Sequence, residues 1–246
     1  MSRLPPARNG DYPHPPSRRR PGGTAPSYAA LGDLLEPTTT VLLTVECQEG
    51  VVGERGALPE LAAEVRSSGA LARIALLVDA ARASGVQIVH AVAERRPDGR
   101  GAGRNARLFR AAERLPVRQL TSSAAVRVAA PVQVADEDLV VRRLHGLSPI
   151  QGTDVDALLR NLGCRTLIVT GVSANVAVPD AVFDAVNRGY TVVLPTDAVA
   201  GVPAGYTRAM IRHTLSLVAT LATTDEVLTA FARGRPAAAP RPLRPG

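Results

Sequence analysis

Apolar positions along this chain fall into two patterns. Short continuous runs occur in TTTVLLTV (38–45), VQIVHAVA (86–93), LVVRRL (139–144), RTLIVTG (165–171) and YTVVLP (190–195). Runs of this length without polar–apolar alternation fit strands of a parallel sheet covered on both faces. Between them the spacing turns helical. In 59–85, Leu71, Ile74, Ala75, Val78 and Ala81 share one face, with an interruption near Ser67–Gly69 and Gly85 as the stop. Further helices are predicted around Ala106–Ala112, within 148–163 (Thr153 or Asp154 as cap, Gly163 as stop), from the GVSANVAV turn to Gly189, and over Tyr206–Thr220 and Thr224–Ala232. Strands alternating with helices through right-handed crossovers predict an α/β fold, a three-layer α/β/α domain around an open, mainly parallel sheet.

Ligands of such sheets bind beyond the carboxyl ends of the strands. The groups leaving the strands there are Glu46, Cys47 and Gln48; His90 to Glu94; Arg142, Arg143 and His145; and Gly171 to Asn175.

Composition narrows the function classes. The chain has 246 residues and is 46% hydrophobic, with no Trp, three Phe and four Tyr, so it offers little aromatic surface for base stacking or a membrane belt. No 18-residue apolar stretch occurs, and the amino-terminal residues lack the apolar core of a signal peptide, so a cytoplasmic protein is expected. The net charge of +7 is unevenly placed. Residues 1–30 carry +4, residues 233–246 carry +4, and residues 31–232 carry −1. The two Pro/Arg-rich ends are expected to be disordered basic tails, because they cannot bury enough apolar area to offset about 1–2 kcal/mol of ordering entropy per residue. Specific nucleic-acid binding is not expected.

The Gly-rich stretch 99–103 is not a phosphate loop, since no GK[ST] or GxGxxG accompanies it. The four histidines lack metal-ligand spacing, so no metal and no cofactor are expected. Glu46 is the leading chemical candidate. A carboxylate at the tip of an apolar strand must be paired, hydrated or protonated, and partial burial suits it to acid–base work. Alternatively it caps amides or holds Arg142 or Arg143. Cys47 should face the opposite side of the strand from Glu46 and reads as a small core residue; as an alternative nucleophile it needs a lowered pKa. Cys164, at the amino end of its strand, reads as structural.

Read together, TVLLTVECQ, VQIVHAV, SPIQGTD, LLRNLG, TLIVTGVSANVAV and GYTVVLPTDA resemble the isochorismatase-like cysteine hydrolases over residues 38–225. The resemblance implies a six-stranded parallel sheet, dimers or tetramers, and hydrolysis of small amides, N-carbamoyl compounds or a vinyl ether. It also implies an Asp–Lys–Cys catalytic set, and each position departs here. The aspartate falls on Glu46, with Gln48 matching beside it. The lysine falls on Leu144, four residues before Ser148, with Arg143 and His145 as the nearest basic groups. The cysteine falls on Ala177. A cis peptide is implied at Val172–Ser173, with the N–H groups of residues 176 and 177 aimed at a ligand.

The expectation is therefore a small-molecule hydrolase without the cysteine nucleophile. Glu46 serves as general acid or base, Arg143 stabilises an anion or developing charge, and Gln48, His145, Ser173, Asn175 and Ala177 surround the substrate. The alternative is a catalytically inactive domain of this type that binds a small molecule or serves assembly. Selectivity is expected from loops 94–110 and 144–151.

Overall fold

The computed structural model describes residues 28–54 and 56–234; the expected tails fall largely outside them. Strands β1 (Thr40–Val45), β2 (Gln87–Ala93), β3 (Leu139–Arg143), β4 (Thr166–Val172), β5 (Thr191–Pro195), β6 (Val199–Ala200) and β7 (Thr220–Ala222) form one sheet. Its order is β3–β2–β1–β4–β5–β7, with β6 beside β4. Every pairing is parallel. The helices are α1 (Tyr28–Leu34), α2 (Glu49–Val52), α3 (Pro59–Ser68), α4 (Ala70–Ala83), α5 (Arg107–Ala112), α6 (Val155–Asn161), α7 (Ala177–Asn187), α8 (Ala204–His213) and α9 (Thr224–Gly234).

The strand sequence explains the layers. All six residues of β1 are buried. Val41, Leu43 and Val45 pack with Val155, Leu159, Val178 and Val182 of α6 and α7. Leu42 points the other way, into a core with Ile74, Leu77 and Val78 of α4 and Phe231 of α9. An element buried on both faces needs apolar residues at every position, which is the continuous run seen in the sequence. Gly171 lets β4 lie against β1: its φ is +112°, and a Cβ there would meet the Val45 backbone.

Two expectations are corrected. The sheet has seven strands rather than six, because β6 contributes two residues that pair with Gly171 and Val172, too few to leave a period in the sequence. The helix expected over Tyr206–Thr220 ends at His213. A 3-10 turn follows over Leu215–Leu217 and buries Leu215, leaving Leu217 exposed, and Thr220–Ala222 then pairs with β5. The expected break in 59–85 is present, with Gly69 in the left-handed region (φ 70°) between α3 and α4.

His90, expected at the strand ends, lies inside the fold. Its Nδ1 is 2.8 Å from Thr44 Oγ1 and its Nε2 is 3.4 Å from Asp138 Oδ2. Asp138 Oδ2 also accepts from Arg82 Nη2 (2.7 Å) and from the Ala135 N–H (2.8 Å). Burial pushes the His90 ring below its ordinary value, against the raising pull of Asp138. Burial also pushes the Asp138 carboxyl up, but the Ala135 N–H and Arg82 together hold it below the usual carboxylate range.

An unfolded histidine protonates near 6.5, whereas burial makes this ring take up its proton at lower pH. The unfolded chain then binds more protons, so stability falls as pH drops below that value. Urea unfolding between about pH 7 and pH 5 should show a loss of up to about 1.4 kcal/mol per pH unit from this single proton, and His90→Gln should flatten the slope.

Candidate active site

The carboxyl end of β1 sets the site. Glu46 follows Val45 with φ 51°, in the left-handed region, and its N–H donates to the Ala91 carbonyl of β2 (2.9 Å). Left-handed geometry at a residue with a Cβ is disfavoured by roughly 1–2 kcal/mol, and such outliers concentrate where side chains must be aimed.

The next two residues turn away from the cavity. Cys47 is buried in the α4–α9 core, and its Sγ donates to the Val45 carbonyl (3.5 Å). Burial, and then the Glu46 charge, push its thiol up to about 12. Gln48 is fully buried. Its Nε2 donates to the Ala93 carbonyl and its Oε1 accepts from the Ala93 N–H, both at 2.8 Å.

From β3, alternation turns Arg143 inward and leaves Arg142 outside. Arg143 Nη2 donates to Glu46 Oε1; the Arg143 side chain is 8% exposed and that of Glu46 is 18% exposed. Among the described residues, Arg143 Nη1 and Glu94 Oε2 are buried without a hydrogen-bond partner. Arg142 approaches Glu94 Oε2 only to 3.7 Å. Asp180, in the first turn of α7, adds another carboxyl near Arg143. Burial and then Asp184 push it above the usual range, while the Arg143 guanidinium pulls it down.

The turn between β4 and α7 completes the rim. Its Val172–Ser173 peptide is cis. Asn175 donates through Nδ2 to the Val202 carbonyl (2.6 Å) and accepts the Val202 N–H at Oδ1 (3.0 Å), fastening the turn to the loop before α8. The N–H groups of Val176 and Val178 both donate to the Ser173 carbonyl (3.1 Å). Among the described residues, the Ala177 N–H has no acceptor.

A cavity of about 550 Å³ opens here, lined by Glu46, Glu94, Arg143, His145, Ser173, Asn175 and Ala177. Its other wall is apolar: Leu58, Leu61, Leu108, Phe109, Leu115 and Val176. The segment after β2, including α5, supplies much of that wall. Among the described residues no three His, Cys, Asp or Glu side chains converge as metal ligands.

The structure thus brings Glu46, Arg143, His145, Ser173, Asn175 and Ala177 to one cavity. Three sequence expectations change. Gln48 lies outside the lining because its amide is committed to Ala93. Asn175 lines the cavity, yet both ends of its amide are committed to Val202. Of the two N–H groups expected to face a ligand, that of residue 176 is taken by Ser173. Cys47, the alternative nucleophile, lies buried outside the cavity lining with its thiol pushed up by burial. Asp180 was missing from the expected groups, and Glu94 was expected at the rim without a role. Glu94 had a signal, since it is the charged residue leaving β2, whereas nothing in the sequence brings Asp180 to Arg143. The chain also contains no lysine; all 29 basic residues are arginine.

A family model described as the isochorismatase domain matches residues 40–226. A ureidoacrylate amidohydrolase RutB from Methylorubrum extorquens is 30% identical over 180 residues, 68% of this chain and 72% of that protein. Among solved structures, a cysteine hydrolase from Pseudomonas syringae pv. phaseolicola is similar with TM-score 0.73 and 24% identity, covering 82% of this chain and 96% of the other. An isochorismatase family protein from Desulfovibrio vulgaris is similar with TM-score 0.69 and 25% identity, covering 79% and 99%.

The buried Cys47 thiol should resist labelling. At about pH 8 its alkylation by iodoacetamide in the native protein should be about three orders of magnitude slower than that of a free thiol with pKa near 8.5, and should become fast in concentrated guanidinium chloride. Peptide mapping by mass spectrometry reads both rates.

Proposed function

The chain belongs to the isochorismatase family of hydrolases, and from that premise we propose that it hydrolyses a small molecule without a cysteine nucleophile, using Glu46 to move the proton and Arg143 to steady developing charge. The observation that carries this reading is the Glu46–Arg143 pair lining a ligand-sized cavity beside Ala177. A methyl group at 177 cannot form a thioester, and an arginine cannot give up its proton near neutrality. Of the paired groups, the Glu46 carboxylate is then the one able to exchange a proton with water.

The steps follow from these groups. Arg143 holds the Glu46 carboxylate as its ion-pair partner. Glu46 takes a proton from a water as its oxygen bonds to the electrophilic carbon of the substrate. The substrate oxygen gains negative charge, which Arg143 and the Ala177 N–H are placed to stabilise. Glu46 then returns the proton to the leaving nitrogen or oxygen as its bond to carbon breaks. Gln48 and Asn175 are positioning residues in this scheme; they fix the strand end and the turn without touching substrate.

A second reading is supported by the same departures. With Ala177, Leu144 and no lysine anywhere, the domain has lost the groups of the resembling catalytic set, and it would bind a ligand or a second copy of itself without turnover. A homo-oligomer and a cytoplasmic setting belong to both readings.

A panel of amides, ureido and carbamoyl compounds and isochorismate separates the two. Turnover by the wild-type protein should fall at least about 100-fold in Glu46→Gln, the low end for a general acid–base group, with the thermal midpoint little changed. Ligand binding with no turnover in wild type would favour the binding module. Turnover that survives Glu46→Gln would displace Glu46 from its role.

A further inference from the structure

The segment joining β2 to β3 forms one side of the cavity as a strap, residues 95–118, tied at its base. The Arg95 N–H donates to the Gln119 carbonyl (2.7 Å), and the Thr121 N–H donates to the Arg95 carbonyl (2.8 Å). The Arg95 side chain holds the middle of the strap. Its Nη2 donates to the Phe109 carbonyl (3.1 Å), and its Nη1 lies 3.4 Å from Glu113 Oε1. The Phe109 ring rests on Gly103, where a Cβ would come within 2.9 Å of its Cε2. The apolar side chains held in this way are not packed away. α5 buries no residue, Leu108 is half exposed, and Phe109 and Leu115 are partly exposed. All three line the cavity, as does the exposed Leu58. Apolar surface left open toward a hollow among the described residues is what a ligand with an apolar body would cover.

The charged groups of the lining are already committed. Glu46, Glu60 and Glu94 stand there with Arg95 and Arg143, and Arg142 lies 3.7 Å from Glu94 without lining the cavity. Arg143 gives Nη2 to Glu46, and its Nη1 is buried. The paired N–H edge with which an arginine grips a carboxylate is therefore closed. Arg95 is engaged by Glu113 and the Phe109 carbonyl. The remaining basic group of the lining is His145, which is exposed. A ligand carboxylate drawn into this cavity would lose its hydration with no open guanidinium to replace it, whereas an uncharged head needs single hydrogen bonds only.

We propose that the ligand is an uncharged molecule, with its polar head at Glu46 and the Ala177 N–H and an apolar body such as a phenyl ring on the wall built by Leu58, Leu108, Phe109 and Leu115. This deepens the preceding reading, because it rests on the same cavity being the ligand site. Arg95 acts as a positioning residue that holds the Phe109 wall in place, and not as the cation for an acidic substrate. The bond to be cleaved lies in the polar head. The apolar body then sets how tightly a substrate is held and leaves the proton transfer at Glu46 to the head alone. With no charge on the ligand, salt has nothing to screen and affinity is independent of ionic strength.

Four ureas test this as ligands: phenylurea, methylurea, 4-ureidobenzoate and 4-(aminomethyl)phenylurea. They share a head and differ in the size and charge of the body. Calorimetric titration of the full chain at about pH 8 should give phenylurea at least about tenfold tighter than methylurea, the low end for burying an aromatic ring. Phenylurea should also bind at least about tenfold more tightly than the anionic and the cationic urea, which must desolvate a charge, and its affinity should change less than about twofold between about 0.05 and 0.5 M NaCl. Phe109→Ala should bring phenylurea down toward methylurea and leave methylurea unchanged, with the circular dichroism of wild type, since α5 buries no residue. Arg95→Met should weaken phenylurea in the same way, with methylurea binding as the control for an intact site. Equal affinity for phenylurea and methylurea, phenylurea binding untouched by Phe109→Ala, or tighter binding of either charged urea would overturn the proposal. A preference for 4-ureidobenzoate that disappears in Arg95→Met or His145→Ala would overturn it and identify the cation responsible. Absence of phenylurea binding at about 10 mM would overturn it too. Affinity and not turnover is read, so these outcomes are separate from whether Glu46→Gln halts hydrolysis.

Discussion

The ion pair between Glu46 and Arg143 is the constraint around which the site is arranged. Its partners leave β1 and β3, which do not touch, and β2 lies between them. The middle strand ties both ends. Ala91 accepts the Glu46 N–H, Ala93 exchanges two hydrogen bonds with Gln48, and the Arg143 carbonyl accepts the Glu94 N–H. Each contact is a main-chain or fully buried one, so the carboxylate and guanidinium meet on a rigid support. A pair held in this way loses little side-chain entropy on forming, unlike a surface pair between two free chains.

That support outlives the chemistry usually associated with it. The turn before α7 retains its cis peptide and its clamp to Val202, yet presents a methyl group. The position that the resemblance gives to a lysine holds Leu144, and the chain contains no lysine. What remains is a fixed positive charge, an adjacent carboxylate and an unclaimed N–H at Ala177. Of the ion pair, the carboxylate is the member that can exchange a proton near neutrality, whereas the guanidinium stays charged.

Much of this was legible in the sequence, for a physical reason. A strand covered on both faces is apolar at most positions, with buried threonines paired inside the fold, so TVLLTV and TLIVTG announce themselves, and the rule that ligands gather at strand ends then points to Glu46 and Arg143. Short edge elements such as Val199–Ala200 carry no such requirement. Gln48 and Asn175 show another limit. An amide near a rim looks ready for a ligand, and only the fold reveals that backbone groups 45 and 27 residues away already satisfy it. The Glu46 carboxylate and the Cys47 thiol do part company, but not by the strand alternation the sequence suggested, because β1 ends at Val45 and Glu46 lies in the left-handed region (φ 51°).

One feature of the strap bears on how this protein can change. Since α5 buries none of its residues, replacing them costs the domain little of its folding free energy, and exposed positions away from special contacts generally shift stability by less than about 0.5 kcal/mol. This wall of the cavity is thus decoupled from the sheet that keeps the molecule folded. Natural drift, or a randomised library confined to 104–115, can reshape it while Glu46 and Arg143 stay where they are.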